Sequence, residues 1–133
     1  MNQPSIPGGT VSEDGKLWAL LSYGGLFFGI PLWIAPLLMR NDAFALHHAR
    51  QAAVIFAYGF LLVSLYTVGS VLISVVTFGI LSIVSLCCMP VLFLPIVPTI
   101  HGLMLAYNQQ WTEPVGMFGL GTKLLGSIQV EQK

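Results

Sequence analysis

The chain has 133 residues, 56% of them hydrophobic and only 8% charged, with five basic and five acidic side chains and a formal net charge of zero. Soluble domains carry about 25% charged residues, so a water-facing surface over the whole body is excluded. The few lysines and arginines are scattered, which excludes a nucleic-acid-binding face. The composition implies one domain of the all-α class, an integral membrane protein with most residues inside a lipid bilayer.

Residues 1–16 are polar, with Pro4, Pro7, Gly8 and Gly9. They lack a basic region ahead of an apolar core and carry no lipidation motif, so a flexible tail is expected. The first apolar run, 17–39, is long enough to cross a bilayer. It holds Gly24, Gly25, Gly29, Pro31 and Pro36, which predicts a kink rather than an end if lipid leaves the backbone no other partner. Trp18, Tyr23 and Trp33 suit the headgroup boundary. Residues 40–51 form the most polar internal segment, with Asn41 or Asp42 as helix cap. At a helical spacing Phe44, His47, His48 and Gln51 share one face. A short interfacial helix that runs into the next span is expected.

From Gln51 through Thr112 there is no Asp, Glu, Lys or Arg. As one helix this block would exceed twice the bilayer thickness, so it must reverse, best at Thr77-Phe78-Gly79. The expected spans are therefore 17–39, 52–76 and 80–106, within a membrane domain of 17–107, the third bent by Pro90, Pro95 and Pro98. The tail, 108–133, is too polar and broken for a further span, though Met117, Phe118, Leu120, Leu124 and Leu125 suit the membrane surface. With three spans, Arg40, Arg50, Lys123 and Lys133 face one side and Lys16 the other. The positive-inside rule then puts the N-terminus outside and the C-terminus in the cytoplasm, with the cell (inner) membrane as the expected location.

Catalytic agents are scarce. The acidic residues all lie outside the apolar runs, and no Ser–His–Asp set, paired carboxylates or phosphate loop occurs, so no enzyme and no cofactor are expected. Cys87 and Cys88 are adjacent and read as ordinary packed or lipid-facing side chains. His47, His48, Arg50 and Gln51 form the one polar cluster near the membrane. They serve either as a docking point for a lipid headgroup, a partner or a translocating substrate, or simply as a polar linker that anchors two spans at the interface. Two adjacent histidines without a third ligand do not suggest a metal. His101 is the one ionisable group of physiological relevance, cysteines aside, within the long apolar block. It is a candidate intramembrane polar site, or a histidine that reaches water. Gly25 and Gly29 match the Gly-x-x-x-Gly pattern that lets helices approach closely.

Three places carry a resemblance. Asp14-Gly15-Lys16-Leu17-Trp18-Ala19-Leu20-Leu21-Ser22-Tyr23 resembles an opening Leu-x-x-Leu-Ser-Tyr pattern. Phe44 followed by His48-Ala49-Arg50-Gln51-Ala52 is similar to a His-Ala-(Arg/Lys)-Gln-Ala box. Ala106-Tyr107-Asn108 and Pro114-Val115-Gly116 resemble a closing segment, although a glycine usual after the last span is replaced within Asn108-Gln109-Gln110. Together they look like a bacterial family of small membrane proteins of unknown function. That family is distantly similar to the twenty-kilodalton channel-like subunit of the chloroplast inner-envelope import translocon. The resemblance implies a helical membrane protein and supplies no activity. The leading expectation is a non-enzymatic membrane protein whose partners are the lipid bilayer and another copy of itself or a membrane protein, with no nucleic acid. The alternative is a small channel or transporter subunit.

Overall fold

Ser12 opens the first helix: its side chain accepts from Gly15 N, and Glu13 and Asp14 place negative charge on the first turn. A computed structural model describes residues 11–117 and 119–128, which form helices and turns only. Helix α1 (Glu13–Phe27) stops where the kinked span was expected to continue. Gly29 adopts φ +68°, Ile30 N donates to Gly25 O at 2.8 Å and Gly29 N to Leu26 O at 3.2 Å. These are the paired bonds of a Schellman cap, with glycine in the left-handed position that other residues avoid. Pro31 follows, and α2 (Ile34–Met39) returns along α1. The two ends of the run meet: Ser12 Oγ donates to Asp42 Oδ2 at 2.6 Å. Trp18 of α1 shares a small cleft with Pro36 of α2. The run 17–39 is thus a helical hairpin, not one kinked helix. The chain meets its own backbone needs at the glycine turn, so the helix has no reason to persist. The expected tail is also shorter by its last residues, since Glu13–Lys16 are helical; residues 1–10 lie outside the described ones.

Asp42 caps α3 (Ala43–Val76), accepting from Ala45 N at 2.9 Å. The polar segment runs straight into the next leg as the start of α3, as expected, but it is not interfacial. Phe44, Ala45, Leu46, His48, Ala49 and Gln51 are buried in protein rather than lying on lipid. The reversal falls where the sequence places it: Phe78 and Gly79 adopt φ 50° and 84°, and Gly79 N donates to Ser74 O at 2.8 Å. The return leg is bent, as its prolines require: α4 (Ser82–Cys88), a 3₁₀ turn (Met89–Phe93) and α5 (Ile96–Tyr107). Two segments of the described residues, Ala43–Val76 and Ser82–Tyr107, are long and apolar enough to cross a membrane.

α1 runs parallel to the start of α3, and α5 runs back beside both. Lys16 Nζ stands 4.6 Å over the Tyr107 ring at one end, and Gly102 lies against the Tyr23 ring further in. After α5 the chain crosses the same end and forms α6 (Leu120–Leu125), whose Gly121 rests on the backbone of Gln51. The core gathers there: Ala19, Tyr23, Phe44, Ala52, Ile55, Ala106 and Met117. Met117, expected on the membrane surface, is 5% exposed and part of this core. Leu120 and Leu124 are exposed, and Phe118 lies outside the described residues. From Phe56 to Pro98 no residue is buried, and Phe60, Leu65, Val75, Ile80 and Leu86 stand open. The molecule has a closed polar-cored end and a bare apolar hairpin.

Candidate functional site

The closed end holds a connected set of buried polar side chains. α1 contributes Tyr23, and α3 contributes His47, His48 and Gln51 at the spacing that shares one helical face. Tyr23, His48 and Gln51 are each 0% exposed. Tyr23 Oη donates to Gln51 Oε1 at 3.1 Å and lies 3.2 Å from His48 Nδ1. Gln51 Nε2 reaches His47 Nε2 at 3.0 Å. His48 Nε2 is 3.0 Å from the carbonyl of Gln110, which can only accept, so this nitrogen carries a proton.

That carbonyl is aimed by the end of α5. Gln109 adopts φ 56°, Gln110 N donates to Leu105 O at 2.9 Å, and Gln109 N to Ala106 O at 3.2 Å. This is a Schellman cap with glutamine where glycine is favoured. It falls within Asn108-Gln109-Gln110, and the turn forms there without a glycine. Aromatic rings close the site. Phe44 packs edge-on to His48 at 4.6 Å and to Trp111 at 5.3 Å, and His47 lies 5.7 Å from Trp111.

The proton count limits what the network does. With His48 neutral, its Nδ1 and Gln51 Oε1 both face the single Tyr23 proton. A second proton on His48 would complete the pattern, but burial holds its pKa down to about 3. The site lies in the first turns of α3, ahead of the apolar stretch. His47 is also held below its ordinary value, first by burial, with Arg50 adding to this and Glu113 opposing it. The network is therefore neutral, and it joins α1, α3 and the tail. Three of its members are fully buried, so it offers a substrate no entry.

The sequence candidates separate. His47, His48 and Gln51 come together, as their shared face implies. Arg50 does not join them: it points away from Gln51 by about 100° on the helix. Its Nε is buried with no hydrogen-bond partner. His101 does not face lipid alone; Val115 N donates to its Nδ1 at 3.0 Å. Gly25 and Gly29 are not a helix-packing pair. Gly25 is covered by the chain's own Ile30 and Leu32, and Gly29 is in the turn. Tyr23, read from the sequence only as a boundary aromatic, is the centre of the site. The signal available for it was the Leu-Ser-Tyr piece of the resemblance. Among the described residues, no three of His, Cys, Asp and Glu group to hold a metal. An apolar groove of about 390 Å³ opens beside α1, between Leu26, Ile55, Gly59 and Pro95. Its one hydroxyl, Thr99, is bonded to Pro95 O. Searches of family models, of curated proteins and of solved structures return no match to this chain.

Proposed function

We propose that this chain is a non-enzymatic integral membrane protein whose α3–α5 hairpin crosses the bilayer twice and packs there with another copy or a membrane-protein partner. The observation that carries this reading is the unburied, uncharged stretch from Phe56 to Pro98. An apolar surface of that extent is stable in lipid or against a partner, not in water. The lengths agree. The 34 residues of α3 extend about 51 Å, against a hydrocarbon core of about 30 Å, and the excess matches the turns buried at the closed end. The 15 residues of α1 reach only about 22 Å, so α1 and α2 enter and leave on one side.

Charge supports the same arrangement. Every Lys, Arg, Asp and Glu of the described residues lies at or before position 50 or after 112, at the closed end. The positive-inside rule then puts both ends in the cytoplasm, which replaces the N-outside orientation that followed from three spans. At that boundary Arg50 offers a guanidinium to a lipid phosphate or a partner carboxylate. Conduction through a single chain draws no support from α3: Thr67 bonds back to Val63 O, and Ser74 pairs with Ser82.

The test uses single cysteines at Gly9, Phe78 and Ser127 in a Cys87→Ser, Cys88→Ser background, labelled with impermeant reagents. Positions 9 and 127 should react from the cytoplasmic side and 78 from the other. Labelling of 9 and 127 from opposite sides restores three spans. In mild detergent the protein should run as an oligomer or with a membrane-protein partner; a monomer carrying lipid alone removes the packing role.

A further inference from the structure

Arg50 is the last charged residue before the uncharged stretch that begins at Gln51. It lies about 160° round the helix from Ala52, which is buried in the core, so it faces away from the packed side of α3. Its depth follows from the helical rise. Arg50 stands about 39 Å along α3 from Val76. A bilayer measures about 30 Å across its hydrocarbon and about 40–45 Å with its headgroups. With Val76 at the far edge of the hydrocarbon, Arg50 reaches the cytoplasmic headgroup layer, where lipid phosphates lie.

Two observations at this level point to an amphipathic anion. The first is an open donor. Arg50 Nε is buried and, among the described residues, has no hydrogen-bond partner, which is costly for a charged group. The carboxylates of Asp42 and Glu113 are engaged elsewhere, Asp42 with Ser12 Oγ and Ala45 N, Glu113 with Thr122 Oγ1. The second is the surface below. Val54, Ala57, Leu61, Leu65 and Val68 follow Arg50 at steps of three and four, in one row along the helix. Leu61, Leu65 and Val68 are each more than half exposed, and no side chain of the row carries a polar atom. A partner helix packs closely where small residues let backbones approach, and these three side chains hold it off. A flexible acyl chain fits between them.

We propose that the outward face of α3 seats one anionic phospholipid, its phosphate on Arg50 and an acyl chain along the row from Val54 to Val68. This rests on the two-span reading above and decides between the two anions offered there for Arg50. The planar guanidinium takes two phosphate oxygens at once through Nε and an Nη. The cytoplasmic leaflet supplies anionic lipids. In a zwitterionic lipid the headgroup's own ammonium offsets the phosphate. The chain as a whole has five basic and five acidic residues, so a preference for anionic lipid has to arise at this one place.

The experiment reads lipid retention by native mass spectrometry of the full chain, released from maltoside micelles that carry equal amounts of phosphatidylglycerol and phosphatidylcholine. One phosphatidylglycerol per chain should be retained in preference. Arg50→Gln should lower that preference on the order of tenfold, the loss of charge-assisted bonds to one phosphate. Arg50→Lys keeps the charge without the fork and should fall between. Arg40→Gln removes an exposed cation at the same end and should change nothing. Ala57 is exposed, so Ala57→Trp fills the row without disturbing the core and should lower retention with Arg50 intact. Inorganic phosphate in excess should not displace the lipid.

Equal retention of the two lipids by the native chain overturns the proposal, as does an undiminished preference in Arg50→Gln. Displacement by inorganic phosphate would make the site one for a free anion. A co-purified protein that leaves on Arg50→Gln would assign the guanidinium to a partner carboxylate. Either result equally overturns the lipid. Should Arg50→Gln not fold, undiminished retention in Ala57→Trp does the same. The two-span reading fails separately, by the labelling of cysteines at Gly9, Phe78 and Ser127.

Discussion

Gly102→Ala tests the packing of the closed end. A Cβ at Gly102 would meet Cε1, Cζ and Cδ1 of Tyr23 more closely than side-chain carbons approach one another. The ring has nowhere to go: it is 0% exposed, and its hydroxyl is held between Gln51 and His48. Overpacking of this kind costs about 1–3 kcal/mol. Against it stands the better helix propensity of alanine, roughly 1 kcal/mol. Gly69→Ala in α3 separates the two, because a Cβ there meets nothing within 4 Å. The propensity gain largely cancels between the variants, so Gly102→Ala should be less stable than Gly69→Ala by about 1–3 kcal/mol. Reversible unfolding in mixed SDS and maltoside micelles reads the difference. In a Tyr23→Leu background the ring is gone and the two alanine variants should converge. If Gly102→Ala matches Gly69→Ala in the native background, or the gap survives Tyr23→Leu, the contact between α1 and α5 is not as described.

Two further outcomes can be read by the same unfolding assay. Tyr23→Phe keeps the ring but strands His48 Nδ1 and Gln51 Oε1, fully buried, and should cost about 1–3 kcal/mol; a loss below half a kilocalorie would mean that the network is not tightly joined. Gln109→Gly relieves a left-handed residue at φ 56° and should gain up to about 1 kcal/mol. A loss on that change would show that the glutamine side chain, not the turn, matters there.

Arg50, the residue that scarcity of charge singles out most clearly, proves not to belong with its neighbours in the sequence. His47, His48 and Gln51 converge because they share a face turned toward α1 and the tail, while Arg50 faces elsewhere. Linear clustering brought all four together; the helical angle divides them. The same lesson applies to the glycines. Gly25 and Gly29 satisfy a packing motif by spacing, but the motif presumes one continuous helix. A left-handed Gly29 followed by Pro31 ends it.

Local chemistry was enough to determine the helical class, the apolar legs of the α3–α5 hairpin, its reversal at Thr77–Gly79 and the bend at its prolines. Each follows from hydrophobic run length, from residues that tolerate φ > 0, or from a missing N–H, all of which act within a few positions of the chain. The first run turns at Gly29 and Pro31, but only the tertiary structure decided that its two ends meet, with Ser12 bonded to Asp42 across 30 positions. It alone decided that Tyr23 joins His48 and Gln51, and that the tail closes over them by way of Gln110, 62 positions from His48. A buried polar group must find its partner wherever the fold brings one, and no local periodicity records which distant residue that will be.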